Sequence, residues 1–145
     1  MRRSFALISA VCVAMCLPAA TDPFIGTWVH NDSKSPTPLV IKIEPLGSDG
    51  LSFFFSVDKA RTDLRFDGKA YPDRGPTVEK GRSSTGKRMD AHTMQMITKI
   101  NDQPVWEDDL KVSADGQTLT DTQRMLADTG KLRKGAEYTV TYRRK

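Results

Sequence analysis

Hydrophobic and polar residues alternate along most of the chain after residue 38. Leu51, Phe53 and Phe55 share one parity, which means that they occupy every second position and would lie on one face of a strand. Ser52 and Ser56 occupy the other parity. A period of two residues is typical of a β-strand with one face on the core, and β-branched and aromatic residues favour that conformation. The same alternation predicts further strands over residues 39–44, 94–100, 106–112 and 138–142.

Turn signals separate these strand-like segments. Asp67-Gly68 and Asp115-Gly116 each lie between two such segments, and an Asp-Gly pair in that setting favours a tight hairpin because Gly accepts a positive φ. A series of short antiparallel strands predicts an all-β barrel or sandwich, and about eight strands would close a small barrel around one small ligand. Residues 72–87 are rich in Pro, Gly, Ser and charge, which predicts a long loop.

The first twenty residues have the pattern of a secretory signal peptide. Arg2 and Arg3 supply positive charge, residues 5–17 are almost entirely apolar, and Ala19-Ala20 gives a small-residue exit. The apolar run is shorter than the ~20 residues that a membrane-spanning helix needs, so cleavage is favoured over an uncleaved anchor. We expect a signal peptide at 1–20 and one domain at 21–145, exported to the periplasm or secreted. The general secretory and twin-arginine routes both stay open.

Both cysteines, Cys12 and Cys16, lie in this signal segment, and neither follows the small residue that a lipid-attachment site needs. The mature chain would therefore contain no disulfide, thiol nucleophile or thiolate metal site. Loss of Arg2 and Arg3 lowers the net charge from +4 to +2, because no acid leaves with them. This balanced charge has no basic stripe with interleaved aromatics, so we expect no nucleic-acid partner. We expect no membrane span after cleavage and, by default, a monomer.

One segment carries a family resemblance. Asp22-Pro23-Phe24-Ile25-Gly26-Thr27-Trp28 resembles the opening of small secreted bacterial lipocalin-like proteins, and the later segments 113–120 and 138–142 are similar to theirs in kind and order. The resemblance implies an up-and-down antiparallel β-barrel of about eight strands. It also implies structural roles for Gly26 and Trp28, with the indole closing one end of the barrel. A basic residue of the last strand, Arg143 or Arg144, would stack on that indole, and of the two we assign the structural role to Arg143.

No catalytic motif is visible in the sequence. The two histidines, His30 and His92, do not form a metal-ligand spacing, and there is no Gly-x-Ser-x-Gly nucleophile elbow. We therefore predict no catalytic residue, no metal and no cofactor.

The alternation predicts which side chains point into the barrel. As a cavity lining, Met and aromatic side chains would suit a hydrophobic ligand, and as a packed core they need no further purpose. Asp108 shares the parity of Trp106 and Leu110, so it is a polar hook for a ligand, a general acid with a raised pKa, or a solvated rim residue. The predicted ligand-binding residues are Phe53, Phe55, Met94, Met96, Trp106, Asp108, Tyr138 and Tyr142.

Three functions are compatible with these patterns. The first is an exported lipocalin-like barrel that binds a small hydrophobic or amphipathic molecule. The second is a solid-cored structural or interaction module of the cell envelope with no small ligand. The third is a hydrolase or isomerase, which ranks last because no nucleophile–base pair is visible. An internal cavity bounded by the inward-pointing residues would favour the first function over the second.

Overall fold

The computed structural model describes residues 21–32, 35–127 and 131–145, so the predicted signal peptide at 1–20 lies outside the described residues. Among the residues described there are ten strands and no helix. The strands are β1 Gly26–His30, β2 Leu39–Leu46, β3 Gly50–Phe55, β4 Ala60–Leu64, β5 Tyr71–Pro72, β6 Arg82–Arg88, β7 Thr93–Ile100, β8 Gln103–Val112, β9 Thr118–Leu126 and β10 Leu132–Arg144.

These strands form one antiparallel sheet that closes on itself. Consecutive strands are neighbours from β1 to β4 and from β5 to β10, and β1 also pairs with β10. The remaining gap lies between β4 and β5, where Arg61 and Arg74 form an isolated bridge with hydrogen bonds of 2.7 and 2.9 Å. The result is an up-and-down barrel, which confirms the predicted fold class. The strand number is ten rather than about eight.

Strand β6 corrects the predicted loop at residues 72–87. Its sequence contains no large apolar side chain, so hydrophobic alternation could not reveal it. It forms because it pairs with β7 over seven positions, from Arg82 with Ile100 to Arg88 with Met94. Gly86 belongs on its inner face, since a Cβ there would lie 3.0 Å from the side chain of Leu64.

The two predicted Asp-Gly turns have different outcomes. Asp115-Gly116 joins β8 and β9 in a tight hairpin, with the amide of Ser113 donating to the Thr118 carbonyl at 2.9 Å and Gly116 at φ 70°. Gly68 also has a positive φ, but β4 and β5 share no ladder across that turn, and Arg61 of β4 instead forms a bridge with Arg74, which follows β5. Asp115-Gly116 is thus a hairpin turn, and Asp67-Gly68 belongs to the connection at the closure of the barrel.

An apolar core fills one end of the barrel. Inward-facing residues of nearly every strand contribute to it, as the predicted parities require. Burying a large apolar side chain contributes roughly 1.5–3 kcal/mol, so this end supplies most of the hydrophobic stabilisation. The buried members include Phe24, Trp28, Ile41, Ile43, Leu51, Phe53, Leu64, Met94, Leu110, Val112, Leu119 and Tyr142.

Trp28 closes this end, which we call the closed end. Its side chain is fully buried, and its Nε1 donates a hydrogen bond to the carbonyl oxygen of Phe24 at 2.9 Å. The guanidinium of Arg144 lies over the indole, with Cζ 4.2 Å from the ring centroid. The same guanidinium donates hydrogen bonds of 2.6 Å to the carbonyl oxygens of Pro23, Ile25 and Gly116.

The cation over Trp28 is Arg144 and not Arg143, which corrects our choice between the two. Trp28 and Arg144 are direct partners in the β1–β10 ladder, while Arg143 is one residue away and projects from the opposite face. The contacts of Arg144 also explain why position 26 is a glycine. A Cβ on Gly26 would lie 2.5 Å from Nη1 of Arg144, and its φ of 151° disfavours other residues.

Candidate functional site

A cavity of about 340 Å³ occupies the barrel interior at the end away from Trp28, which we call the cavity end. The two ends are connected by β10, in which Tyr138 lies at the cavity end and Arg144 lies at the closed end. The walls combine aromatic, methionine and polar side chains. The lining residues are Phe55, Val57, Asp58, Thr62, Arg82, Ser84, Met96, Thr98, Trp106, Asp108, Gln123, Met125 and Tyr138.

The eight residues predicted to bind a ligand divide between the cavity and the core. Those that line the cavity are Phe55, Met96, Trp106, Asp108 and Tyr138. The other three, Phe53, Met94 and Tyr142, are buried in the core at the closed end and are absent from the cavity wall. Parity identifies the inner face of a strand, but it does not give the height of a residue along the barrel axis.

A polar row crosses three strands at the level of the cavity. Asp108 on β8 pairs with Gln123 on β9, and Gln123 pairs with Tyr138 on β10. The Tyr138 hydroxyl donates to Oε1 of Gln123, and Nε2 of Gln123 donates to Oδ2 of Asp121 at 2.7 Å. Asp121 lies two residues nearer the closed end and is only 1% exposed. Its Oδ1 has no hydrogen-bond partner among the described residues.

Asp108 and Asp121 hold their protons more tightly than ordinary aspartates. Burial, followed by repulsion from Asp121, raises the pKa of Asp108 well above its usual range, and attraction to Arg82 opposes this only in part. Burial likewise raises the pKa of Asp121 to about 6, although its hydrogen bond from Gln123 acts in the opposite direction. Two interior carboxylates therefore interact across β8 and β9, and a proton or another cation nearby would relieve their repulsion.

The opposite wall carries a guanidinium whose charge is already balanced. Nη1 of Arg82 lies 2.5 Å from Oδ2 of Asp58, and its Nε lies 2.8 Å from Oδ2 of Asp73. The Asp73 side chain is fully buried and also accepts hydrogen bonds from Thr62 at 2.8 Å and Ser84 at 3.1 Å. Arg82 is thus a fixed part of the wall, held by two carboxylates, rather than a free cation.

Two larger depressions lie on the outside of the barrel. One, of about 520 Å³, is lined by residues of β1, β2 and β10 that include Val29, Val40 and Thr141. Their parity is opposite to that of the buried Trp28 and Tyr142. The other, of about 650 Å³, follows the segment from Ala70 to Ser83. The second depression shares Arg82 with the interior cavity, but neither depression has a Phe, Trp, Tyr or Met side chain in its lining, so the interior cavity is the candidate site.

Sequence reasoning missed several polar residues of this site. Arg82 and Ser84 were hidden in the predicted loop, and Asp73 lies in the same segment. Asp121 and Gln123 could have been found, because they continue the parity of the buried Leu119 along β9.

The described residues contain no group of three or more His, Cys, Asp or Glu side chains arranged to hold a metal ion. The same residues include no helix that is both long enough and apolar enough to cross a membrane.

A scan against models of protein families finds no match, and a search of curated protein sequences finds no significant match. The functional argument therefore depends on the geometry and chemistry of the cavity.

Proposed function

We propose that this protein is an exported, lipocalin-like barrel that binds a small amphipathic molecule in its interior cavity. The observation that carries the proposal is the abrupt change along the barrel axis. Met94 and Met96 are both buried members of the core, 0% and 3% exposed, but Met96, two residues further on the same face of β7, also borders a cavity of about 340 Å³. A barrel whose only purpose was structural would gain stability if packed side chains continued to this end.

The wall chemistry supports an amphipathic ligand. Phe55, Trp106 and Met96 provide apolar area, and Asp108 and Gln123 provide polar groups at fixed positions. Small-molecule sites typically combine mostly apolar walls with a few placed polar groups. The two histidines are not part of the wall. The lining residues thus suit a molecule with one apolar body and one polar end.

Export and family membership belong to the same proposal. The N-terminal pattern supports cleavage near Thr21, and the segment from Asp22 to Trp28 supports kinship with secreted bacterial lipocalin-like proteins. N-terminal sequencing of the exported protein tests the first point. A mature chain that starts near Thr21 supports export by cleavage, and an intact Met1 contradicts it.

Binding in the cavity can be tested with the neutral fluorescent probe N-phenyl-1-naphthylamine. We expect saturable binding to the wild-type protein. Thr98, a buried residue of the cavity wall, can be replaced by leucine to fill part of the space, and Lys99→Leu makes a similar change on the outer face of the same strand. Thr98→Leu should weaken probe binding several-fold, and Lys99→Leu should leave it unchanged. Absence of saturable binding, or equal effects of the two variants, would contradict the proposed function.

A further inference from the structure

We infer that the cavity selects cationic ligands, an amine or ammonium group on a small apolar body, with Asp108 as the counter-ion. This selectivity rests on the proposed function, because it requires that the cavity admit a ligand at all. It adds the sign of the ligand charge, which the amphipathic character of the wall leaves open.

The first argument is the charge balance at the cavity end. The lining contains the carboxylates of Asp58 and Asp108 and one guanidinium, that of Arg82, and two more carboxylates, those of Asp73 and Asp121, contact lining residues from behind. Asp58 and Asp73 already contact that guanidinium at 2.5 and 2.8 Å. The two carboxylates on the β8–β9 side therefore lack a full counter-charge. A ligand anion would add to this repulsion, and a ligand cation would reduce it.

The second argument is the unused hydrogen-bonding capacity of the same carboxylates. Asp108 is half-buried and lines the cavity, and its carboxylate has no hydrogen-bond partner among the described residues. Asp121 is 99% buried, and its Oδ1 is also unpaired within that part of the chain. Buried acceptors without donors are costly, and an ammonium group brings up to three donors and no acceptor. The carboxylate of Asp108 in the wall thus offers acceptors that a cationic ligand would satisfy, and Asp121, which contacts the lining residue Gln123, adds negative charge behind it.

The third argument is the aromatic surface next to these carboxylates. Trp106 stands two residues from Asp108 on the inner face of β8, and Tyr138 lies in the same transverse row. Phe55 adds a third ring to the wall. The face of an aromatic ring attracts a cation, most strongly for indole and where water is excluded. The apolar body of the ligand can lie against Met96 on the neighbouring strand.

The same geometry predicts a pH dependence. The charged or titratable groups around Asp108 are Asp121 on β9, Arg82 on β6, Tyr138 on β10, and Glu107 and Asp109 on its own strand. Of these only Arg82 favours the ionised form of Asp108, and it is shared with two other carboxylates. As the pH falls, Asp121 and Asp108 take up protons, and the attraction for a cation is lost. Preference for a cationic ligand should therefore decrease towards acid pH.

The test compares three ligands of one shape: 4-phenylbutylamine, 4-phenylbutan-1-ol and 4-phenylbutyrate. Isothermal titration of the purified protein at about pH 8 should show the amine binding at least ~10-fold more tightly than the alcohol, with the carboxylate weakest. Asp108→Asn should bring the amine within ~3-fold of the alcohol and leave the alcohol affinity unchanged. Asp109→Asn is the matched control, because the same change one residue away alters the outer face.

Each outcome decides between the claims. An alcohol or carboxylate that binds the wild type as tightly as the amine overturns the inference, as does an equal loss of preference in Asp109→Asn. If Asp108→Asn does not fold, the wild-type titration repeated at about pH 4 still decides, because a carboxyl group with a raised pKa is largely protonated there, and an undiminished amine preference overturns the role of the carboxylates. Binding of N-phenyl-1-naphthylamine without any amine preference leaves the proposed function standing and removes this inference. Absence of binding by any of these compounds removes both.

Discussion

At the residue scale, the closed end depends on the guanidinium of Arg144. It stacks on Trp28 and donates hydrogen bonds to three carbonyl oxygens that come from two separate parts of the chain. A desolvated cation–π contact contributes up to ~2 kcal/mol, and hydrogen bonds from a charged donor add to it. Arg143 is exposed on the opposite face and makes none of these contacts.

This contrast gives the first prediction. Arg144→Ala should lower the free energy of unfolding by about 3 kcal/mol, because it removes the stacking and leaves carbonyl oxygens without donors. Arg143→Ala, the matched control, should change it by less than ~0.5 kcal/mol. Urea unfolding of the two variants measures both values. Equal stabilities would show that Arg144 does not hold the closed end.

Asp121 gives a second residue-scale prediction. Its pKa is raised from 3.8 to about 6 in the folded state, so between these values the folded state binds more protons than the unfolded state. The contribution of the Asp121 carboxyl group to the free energy of unfolding is therefore greatest at low pH, and it falls as the pH rises through about 6. Asp121→Asn retains a carbonyl oxygen for Gln123 and removes the buried charge. It should be more stable than the wild type at about pH 8, by roughly 2 kcal/mol, and no more stable near pH 4.

Urea unfolding at several pH values measures this difference. Asp109→Asn is the control, since its carboxylate faces outward and pairs with Arg124, so its removal should give no gain at any pH. If Asp121→Asn is less stable than the wild type at about pH 8, the buried charge of Asp121 does not destabilise the folded state, and the prediction is wrong.

At the element scale, strands with large apolar side chains on their inner faces were predictable, and β6, which has none, was not. β2, β3, β7 and β8 each carry large apolar side chains at alternate positions, because their inner faces touch the core. β6 presents Arg82, Ser84 and Gly86 to the interior, so its pattern contains no hydrophobic signal. The apolar residues of the site and Asp108 could therefore be predicted, because they lie on strands with a hydrophobic pattern, whereas the Arg82 wall required the folded structure.

Closure between β4 and β5 depends on polar contacts instead of a long ladder. Asp73, just after β5, accepts hydrogen bonds from Thr62 on β4 and Ser84 on β6, and it pairs with Arg82. Its carboxylate thus links β4 to β6 across the gap between β4 and β5. A buried carboxylate with several donors is costly to remove, because the donors lose their partner.

Asp73→Ala should consequently lower the free energy of unfolding by about 3 kcal/mol. Asp63→Ala is a suitable control, since it removes an ion pair with the largely exposed Arg74 at the same closure and should cost less than ~1 kcal/mol. Hydrogen exchange of β4 and β5 amides locates the effect, which should be confined to the closure in Asp73→Ala. Similar costs in the two variants would argue against a closure held by the buried carboxylate.

At the scale of the whole molecule, the barrel divides its interior between stability and binding. The closed end is packed with apolar side chains, and the cavity end holds polar and aromatic groups around empty space. Sequence alternation established the inner face of both ends. It could not show where packing stops, because Met94 and Met96 look alike in sequence and differ only in what lies opposite them.

That pair of methionines provides the most direct measurement of the central claim, that the barrel is hollow at one end. Met94→Ala and Met96→Ala should be compared by urea unfolding and by titration with N-phenyl-1-naphthylamine. Met94→Ala creates a void in packed surroundings, so it should cost ~2–5 kcal/mol and leave probe affinity unchanged. Met96→Ala enlarges an existing cavity, so it should cost less and change probe affinity. Equal stability losses, with no probe binding in the wild type, would contradict a hollow barrel.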